Sequence, residues 1–382
     1  MKSDVAVVKC DSYVQDEVDA AVNEAVALLG GIRSFVKPGD KVLLKPNFLR
    51  SGSADKAITT HPAVVSAVIR LVQSAGGVVF VGDSPAVGSG MKVAESSGVL
   101  GVCKEAGVQL VDFYDAVDVS VMDGKRVKKF RIAKAVMDAD VVINVPKNKT
   151  HSFALYTGAV KNLFGCIPGL DKGEFHLKFP DAADFSDMLL DLYLAVRPAL
   201  SIMDAVVSME GPGPSAGTVR KTGLVAASAD AVALDAVMCS VSGLPVADVP
   251  VLVRARARGI GEADLARIAV LGISVDGLNF KFKYERSGLL ANLPGLGAVF
   301  KGVVLPRPRV MPGCIGCGVC ADGCPAEAIT VTDKKAVISY KDCIRCFCCH
   351  EVCPQKAVAV HYPLSAKVFL KLKSFAEKRL FR

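Results

Sequence analysis

An α/β fold, a mostly parallel sheet with flanking helices followed by a small C-terminal α+β unit, is what three features of this sequence predict. Short apolar runs alternate with helix-patterned segments from the N-terminus to about residue 277, the alternation stops after residue 279, and eight of the 13 cysteines fall in two copies of one spacing near the C-terminus. Alternating strand and helix signals imply βα units, whose crossovers cover both faces of a parallel sheet.

The strand signals are apolar runs at 5–9, 42–44, 78–81, 109–113, 141–145, 200–203 and 224–227. Between them, apolar residues recur at helical spacing over 17–29, 62–75, 92–105, 184–196 and 229–241. Asp123-Gly124 and the charged stretch 125–130 predict a hairpin inserted before the strand at 141. These signals give an α/β domain over 1–287. A connector over 288–308, rich in Gly, Leu and Pro, is expected to pack between domains and lead into a cysteine-rich unit over 309–362. Residues 363–382 predict a basic amphipathic helix that docks on the body, or else touches an acidic redox partner or an anionic membrane surface.

The cysteine-rich unit carries the most specific signal. Cys314-x2-Cys317-x2-Cys320-x3-Cys324-Pro325 recurs as Cys343-x2-Cys346-x2-Cys349-x3-Cys353-Pro354, the run of bacterial two-cluster ferredoxins. Three closely spaced thiolates reach three irons of one 4Fe-4S cube, and the fourth turns away to the other cube. Two 4Fe-4S clusters are therefore expected, one ligated by Cys314, Cys317, Cys320 and Cys353, the other by Cys343, Cys346, Cys349 and Cys324. A zinc site, which closes with four ligands, or a disulfide framework is the alternative. The copies also match at Ile315/Ile344, Ala328/Ala357 and Val331/Val360, as two related half-sites would. Gly313, Gly316, Gly318 and Gly323 let backbone N–H groups approach the first cluster, whereas Arg345, Phe347, Cys348 and His350 crowd the second. Cys348 is expected to be a small buried apolar side chain and His350 a surface residue.

At 382 residues with 51% hydrophobic content, the chain is long enough for two or three domains and a large core. The apolar stretches 289–300 and 236–247 fall short of the roughly 18 residues a spanning helix needs. The start runs straight into a strand without a signal-peptide pattern, and Cys10, Cys103, Cys166 and Cys239 lack ligand spacing, so a reducing, cytoplasmic setting is expected. The formal charge of +8 omits the anionic clusters, and no arginine-rich, aromatic-interleaved pattern points to nucleic acid.

Polar residues collect after the strands of the large domain: Lys45-Pro46-Asn47, Gly82-Asp83-Ser84, the stretch Lys147-Asn148-Lys149-Thr150-His151, and Asp204. Open α/β sheets bind ligands at that edge; ordinary polar loops are the alternative. The Gly-rich segment 157–165 lies beside Lys147, Lys149 and Lys161 and would suit a phosphate or carboxylate, although neither a P-loop nor a G-x-G-x-x-G follows a strand.

In combination, Val42-Leu43-Leu44-Lys45-Pro46-Asn47, Asn144-Val145-Pro146-Lys147 with Lys149-Thr150-His151, the segment 157–165, and Asp204 with Glu210-Gly211 resemble the domain-of-unknown-function 362 family. The cysteine-rich tail resembles the 4Fe-4S dicluster domain that many of its members carry. The resemblance implies a cytoplasmic iron–sulfur protein of ferredoxin type.

The function expected is single-electron relay to or from a site in the α/β domain. As an oxidoreductase, the protein would hold a small anionic substrate with Lys147, Lys149, His151 and Lys161, using Asp83 and Asp204 as polar or acid–base groups. The alternative is an electron-transfer adaptor whose large domain docks a partner, a flavoprotein or another electron donor or acceptor, without chemistry of its own. If both cysteine runs build cubes, anaerobically purified protein contains about eight irons and about eight acid-labile sulfides; zinc in their place, without visible absorption, overturns the expectation.

Overall fold

The structure is a computed structural model that describes residues 3–169, 171–284, 305–363 and 365. Most of the connector (288–304) and most of the basic tail lie outside the described residues. The sheet is built from β1 (Ser3–Lys9), β2 (Lys41–Pro46), β3 (Val78–Val81), β4 (Gln109–Leu110), β7 (Val141–Val145), β10 (Leu200–Glu210), β11 (Thr218–Ser228) and β12 (Ile268–Gly272), in the order β12-β1-β11-β10-β7-β2-β3-β4. Every neighbouring pair is parallel except those made by β11, which runs antiparallel to both β1 and β10. The hairpin β5 (Ala116–Ser120) and β6 (Lys129–Ala133) stands apart, its turn held by Asp191, which accepts from the N–H groups of Lys125, Arg126 and Val127.

Alternation along the strands divides the interior into two cores. Val5, Val7 and Leu43 face one, with α8 (Ala182–Val196), α9 (Ala231–Ser242) and α10 (Pro250–Arg258) packed on that side. Ala6, Val8, Val42 and Leu44 face the other, under α1 (Gln15–Ala27) and α2 (Pro62–Ser74). This period of two, with both faces apolar, is what a doubly covered sheet requires. Helix starts are capped locally: Asp181 accepts from Ala183 and Asp184, and Asp230 from Val232 and Ala233.

Three expectations about local structure need correction. The helix expected over 92–105 is two helices, α3 (Gly90–Ser97) and α4 (Val99–Glu105), because Gly98 adopts φ +87° and ends the first in a left-handed cap. The strands expected at 200–203 and 224–227 are the starts and ends of an 11-residue antiparallel pair, with a register shift between Ala205 and Val207. The strand expected over 109–113 pairs only at Gln109–Leu110.

The C-terminal unit is two antiparallel ribbons, β13 (Arg307–Val310) with β16 (Val358–His361) and β14 (Ile329–Thr332) with β15 (Lys335–Ile338). Two short helices, α11 (Val319–Asp322) and α12 (Cys348–Val352), pack against them. This module is seated on the α/β domain. Phe347 joins the larger domain's core, Ser215 Oγ donates to the Glu351 carbonyl at 2.6 Å, and His350 lies between the carbonyls of Val358 (2.6 Å) and Pro212 (3.1 Å). His350 is 2% exposed, so the expectation of a surface residue is overturned.

Candidate functional site: a polar cavity against the cysteine module

Two small cavities inside the module are lined by sulfur. Cys314, Cys317, Cys320 and Cys353 line the first; Cys324, Cys343, Cys346 and Cys349 line the second, so each run sends its fourth cysteine to the other. Four thiolates spread around a cavity match in number and kind what a 4Fe-4S cube requires. Among the described residues, no group of three or more His, Cys, Asp or Glu side chains converges on a single-ion site. Backbone N–H groups point at the sulfurs: Ala336 to Cys314 at 3.4 Å, Ala328 to Cys324 at 3.3 Å and Ala357 to Cys353 at 3.2 Å. Such bonds stabilise added negative charge on a cluster. Gly316, at φ +66°, lets its loop pass Lys334, whose backbone a Cβ would meet at 2.5 Å. Each set holds two buried cysteines, Cys320 and Cys353 in the first and Cys346 and Cys349 in the second, and Cys317 is exposed.

A larger cavity of about 390 Å³ lies between the module and the carboxyl ends of the parallel strands. Residues just past β2 (Asn47, Phe48) and β3 (Asp83, Ser84) line one side. The hairpin of β8 (Lys147–His151) and β9 (Leu155–Thr157), which continues from β7, supplies Lys149, His151 and Thr157. Lys161 and Asn162 come from α6 (Ala159–Asn162), Lys172 and His176 from α7 (Asp171–Lys178), and Cys324, Cys348 and Glu351 from the module. Cys348 is thus half-buried against both this cavity and the second sulfur-lined one.

Some of these groups are fully partnered. Lys149 Nζ donates to Asn47 Oδ1 at 2.6 Å and to the Ile58 carbonyl at 2.7 Å, and burial holds its ammonium well below its usual range. Asn47, Asn162 and Asn144 continue as a ladder of side-chain amides into the sheet. Asp83 pairs with Lys45 at 2.8 Å and accepts from the Phe48 N–H; burial raises its carboxyl and Lys45 opposes that. Gly165 is required there, since a Cβ would stand 2.0 Å from Asp83 Oδ1. Lys172, lowered by burial to about 7, donates to Ser84 Oγ, the Ser84 carbonyl and the Ile167 carbonyl, clamping the loop after β3.

Other groups are not. Lys161 Nζ has no hydrogen-bond or ion-pair partner among the described residues; the rings of Phe164 and Phe185 lie 5.8 and 6.0 Å from it. His151 Nδ1 accepts from the N–H groups of Phe153 (3.0 Å) and Ala154 (3.2 Å), which places the proton of a neutral ring on Nε2. That Nε2 sits 3.1 Å from Glu351 Oε1, out of line for a hydrogen bond, so both atoms are buried and unpartnered. Thr157 Oγ1 and His176 Nδ1 are likewise buried and unpartnered on the same cavity. Burial, reinforced by Lys161, lowers His151 to about 4. Burial opposes the charge on Glu351, but the neighbouring His151 and Lys161 favour the ionised form and keep its carboxyl below its usual range.

Of the residues singled out from the sequence, Asp83, His151 and Lys161 meet at this cavity, together with Lys149. Lys147 and Asp204 do not line it. They form a separate buried pair at 2.8 Å, closed by Tyr13, which receives from Lys147 at 2.6 Å and donates to Asp204 at 2.8 Å. The phosphate-suited reading of the Gly-rich segment also changes, because the N-terminal N–H groups of α6 are already taken by Asp235 at 2.6 and 3.0 Å. Lys172, His176 and Glu351 were not singled out. Lys172 and His176 are one turn apart on a short charged helix, which reads as a loop. Glu351 lies inside the second cysteine run opposite Asp322 of the first copy, so the repeat offers no signal that sets it apart.

Asp204→Ala leaves the Lys147 ammonium buried without its partner and is expected to cost about 3 to 5 kcal/mol in denaturant unfolding. Lys161→Ala, which breaks no hydrogen bond or ion pair, is expected to cost less than about 1 kcal/mol. His151 and His176 both fall from an ordinary 6.5 to about 4, chiefly through burial. Their folded values lie below the unfolded ones, so the stability they contribute, on the order of 3 kcal/mol each, is full above pH 6.5 and lost as pH falls through 4. Unfolding at pH 7.5 and 5 measures this, and His176→Phe, which keeps the stacking on Phe185, flattens the acid limb.

Residues 42–240 match the family described as a domain of unknown function, DUF362, and residues 310–354 match a 4Fe-4S dicluster domain. The thylakoid-associated protein sll1697 of Synechocystis sp. (strain ATCC 27184 / PCC 6803 / Kazusa) is 42% identical over 253 residues, 66% of this chain and 78% of that protein. Among solved structures, the lactate racemase apoprotein from Thermoanaerobacterium thermosaccharolyticum aligns with TM-score 0.37 and 12% identity over 60% of this chain and 57% of that one. A Thermotoga maritima protein aligns with TM-score 0.35 and 12% identity over 53% and 52%. The chain thus spans little more than half of either solved structure. With a family match over more than half its length, this chain belongs to the DUF362 family and carries a 4Fe-4S dicluster domain on its C-terminal side.

Proposed function

We propose that this protein is an iron–sulfur oxidoreductase that relays single electrons, through two 4Fe-4S clusters, to or from a ligand held in the cavity between its domains. One observation carries the reading: Cys324, Pro325 and Cys348 line both the second sulfur-lined cavity and the large polar one, so the two share a wall. When bound, the cubes supply one-electron transfer at a potential set by hydrogen bonding, charge and solvent access.

The residues divide the remaining work. Cys314, Cys317, Cys320 and Cys353 hold one cluster, beside which Cys317, Ile315 and Val337 are exposed and offer a redox partner a small apolar landing. Cys324, Cys343, Cys346 and Cys349 hold the one beside the cavity. His151 presents its Nε2 proton to the cavity floor, and Glu351 faces it from the module. Lys149 and Lys172, bonded to backbone carbonyls and side chains of the wall, fix the cavity's shape. No helix among the described residues is long and apolar enough to cross a membrane. A reducing compartment is proposed, and the name of the thylakoid-associated relative makes a membrane surface the location to compare with a cytoplasmic one.

Cys324→Ser is expected to lower iron content from about eight to about four per chain and to remove the electron paramagnetic resonance signal of the cluster next to the cavity. Cys353→Ser is expected to remove the other. If each substitution instead removes the cluster of its own run, the crossed ligand sets are wrong; if Cys324→Ser leaves electron delivery to a cavity ligand intact, so is the proposed path.

A further inference from the structure

Building on that reading, we infer that the cavity takes a small molecule with a single carboxylate on an apolar, planar body, and rejects phosphates and other multiply charged anions. Lys161 Nζ and the Nε2–H of His151 are the donors that would receive the carboxylate. Neither has a hydrogen-bond partner, and Thr157 Oγ1 is a third unpartnered group on the same wall. Leaving the buried His151 and Thr157 atoms unpaired is costly, so they, with the half-buried Lys161 ammonium beside them, mark where a ligand's polar end fits.

Charge limits how much anion the site accepts. Glu351 lies against His151, and the exposed carboxylates of Glu174, Asp322 and Glu327 ring the mouth. The helix N-terminus that would cradle a phosphate is occupied by Asp235. A second negative charge on the ligand therefore meets repulsion, while Lys149 and Lys172 have their donors committed to side chains and carbonyls of the wall. Beside the bonded polar groups of the wall, Phe48, Phe164, Leu177, Val352 and the face of the His176 ring, which stacks on Phe185 at 4.6 Å, give the cavity apolar and aromatic surface. A flat hydrocarbon body fits such a surface.

The test uses the oxidised holoprotein with benzoate, its neutral analogue benzamide, and inorganic phosphate, read by calorimetric titration and thermal shift. Benzoate is expected to bind and raise the melting temperature, benzamide to bind about ten- to hundredfold more weakly through loss of a charge-assisted hydrogen bond, and phosphate to give no shift. Lys161→Met, which keeps the apolar stem, is expected to lose the same factor while retaining visible cluster absorption, and Lys161→Arg to recover most of it. The benzoate–benzamide contrast stands on the native protein alone, should the variant not fold. Equal binding of benzamide, stronger binding of phosphate, absence of any benzoate binding, or full affinity in Lys161→Met overturns the inference. No electron donor is present, so these outcomes are independent of electron relay. Bound benzoate that leaves the signal of the reduced cavity-side cluster unchanged would count against the relay and not against the carboxylate site.

Discussion

The seating of the cysteine module on the carboxyl edge of the sheet is the contact on which the rest of the molecule depends. It is made by His350 and Glu351, between the third and fourth cysteines of the second run, by their neighbour Phe347, and by Lys356, which donates to the Gly217 carbonyl. His350 bridges Val358 and Pro212, the Glu351 carbonyl receives Ser215, and Phe347 enters the larger domain's core. The spacer that sets the geometry of the sulfurs is therefore the segment that closes the polar cavity. Moving the module would expose Phe347 and withdraw Glu351 from His151, so the sulfur-lined cavities and the polar cavity keep their distance for the same reason that the domains stay together.

Buried charge in this protein falls into two kinds, and the difference separates scaffold from site. Lys45 with Asp83, Lys147 with Asp204 and Tyr13, and Lys172 with the Ser84 loop have their donors answered at hydrogen-bond distance. Removing one partner of such a pair strands the other, which makes these groups structural even though they sit where a functional residue would be sought. Lys161, His151, Thr157 and Glu351 have unanswered atoms facing one cavity. Each such atom costs about 1 to 3 kcal/mol. A sheet packed on both faces by two extensive apolar cores can carry that cost.

The same distinction explains what was legible in the sequence. Period-two alternation and helical spacing gave the sheet and its flanking helices, because burial on both faces leaves a long apolar record. The antiparallel pairing of β10 with β11 was hidden, since Ser208, Glu210, Arg220, Lys221 and Thr222 make its outer half look like loop. The cysteine spacing exposed both sulfur sets because ligation geometry is local. The polar cavity was legible only in part: the edge that strands present is inferable, but whether a lysine there is answered by a distant carboxylate depends on contacts more than 50 residues away, as for Lys147 and Asp204. Glu351 was the hardest to see, because it serves the α/β domain from within a motif that looks fully occupied with metal ligation.

On the proposed reading, charge balance ties proton position to electron position. An electron arriving beside Glu351 and the Cys324 thiolate adds negative charge to a wall that already carries it, at low effective dielectric where the repulsion is strong. Lys149 offers no relief, because burial and its like-charged neighbours Lys147 and Lys161 hold its ammonium down. Relief has to come from Lys161 or from the hydrogen bond that the His151 Nε2–H donates, because the two backbone N–H groups on the far side of the ring leave Nδ1 unable to take a second proton. The backbone turn at Phe153 and Ala154 thereby sets which end of His151 meets a ligand, and so which atom can answer the charge of an added electron.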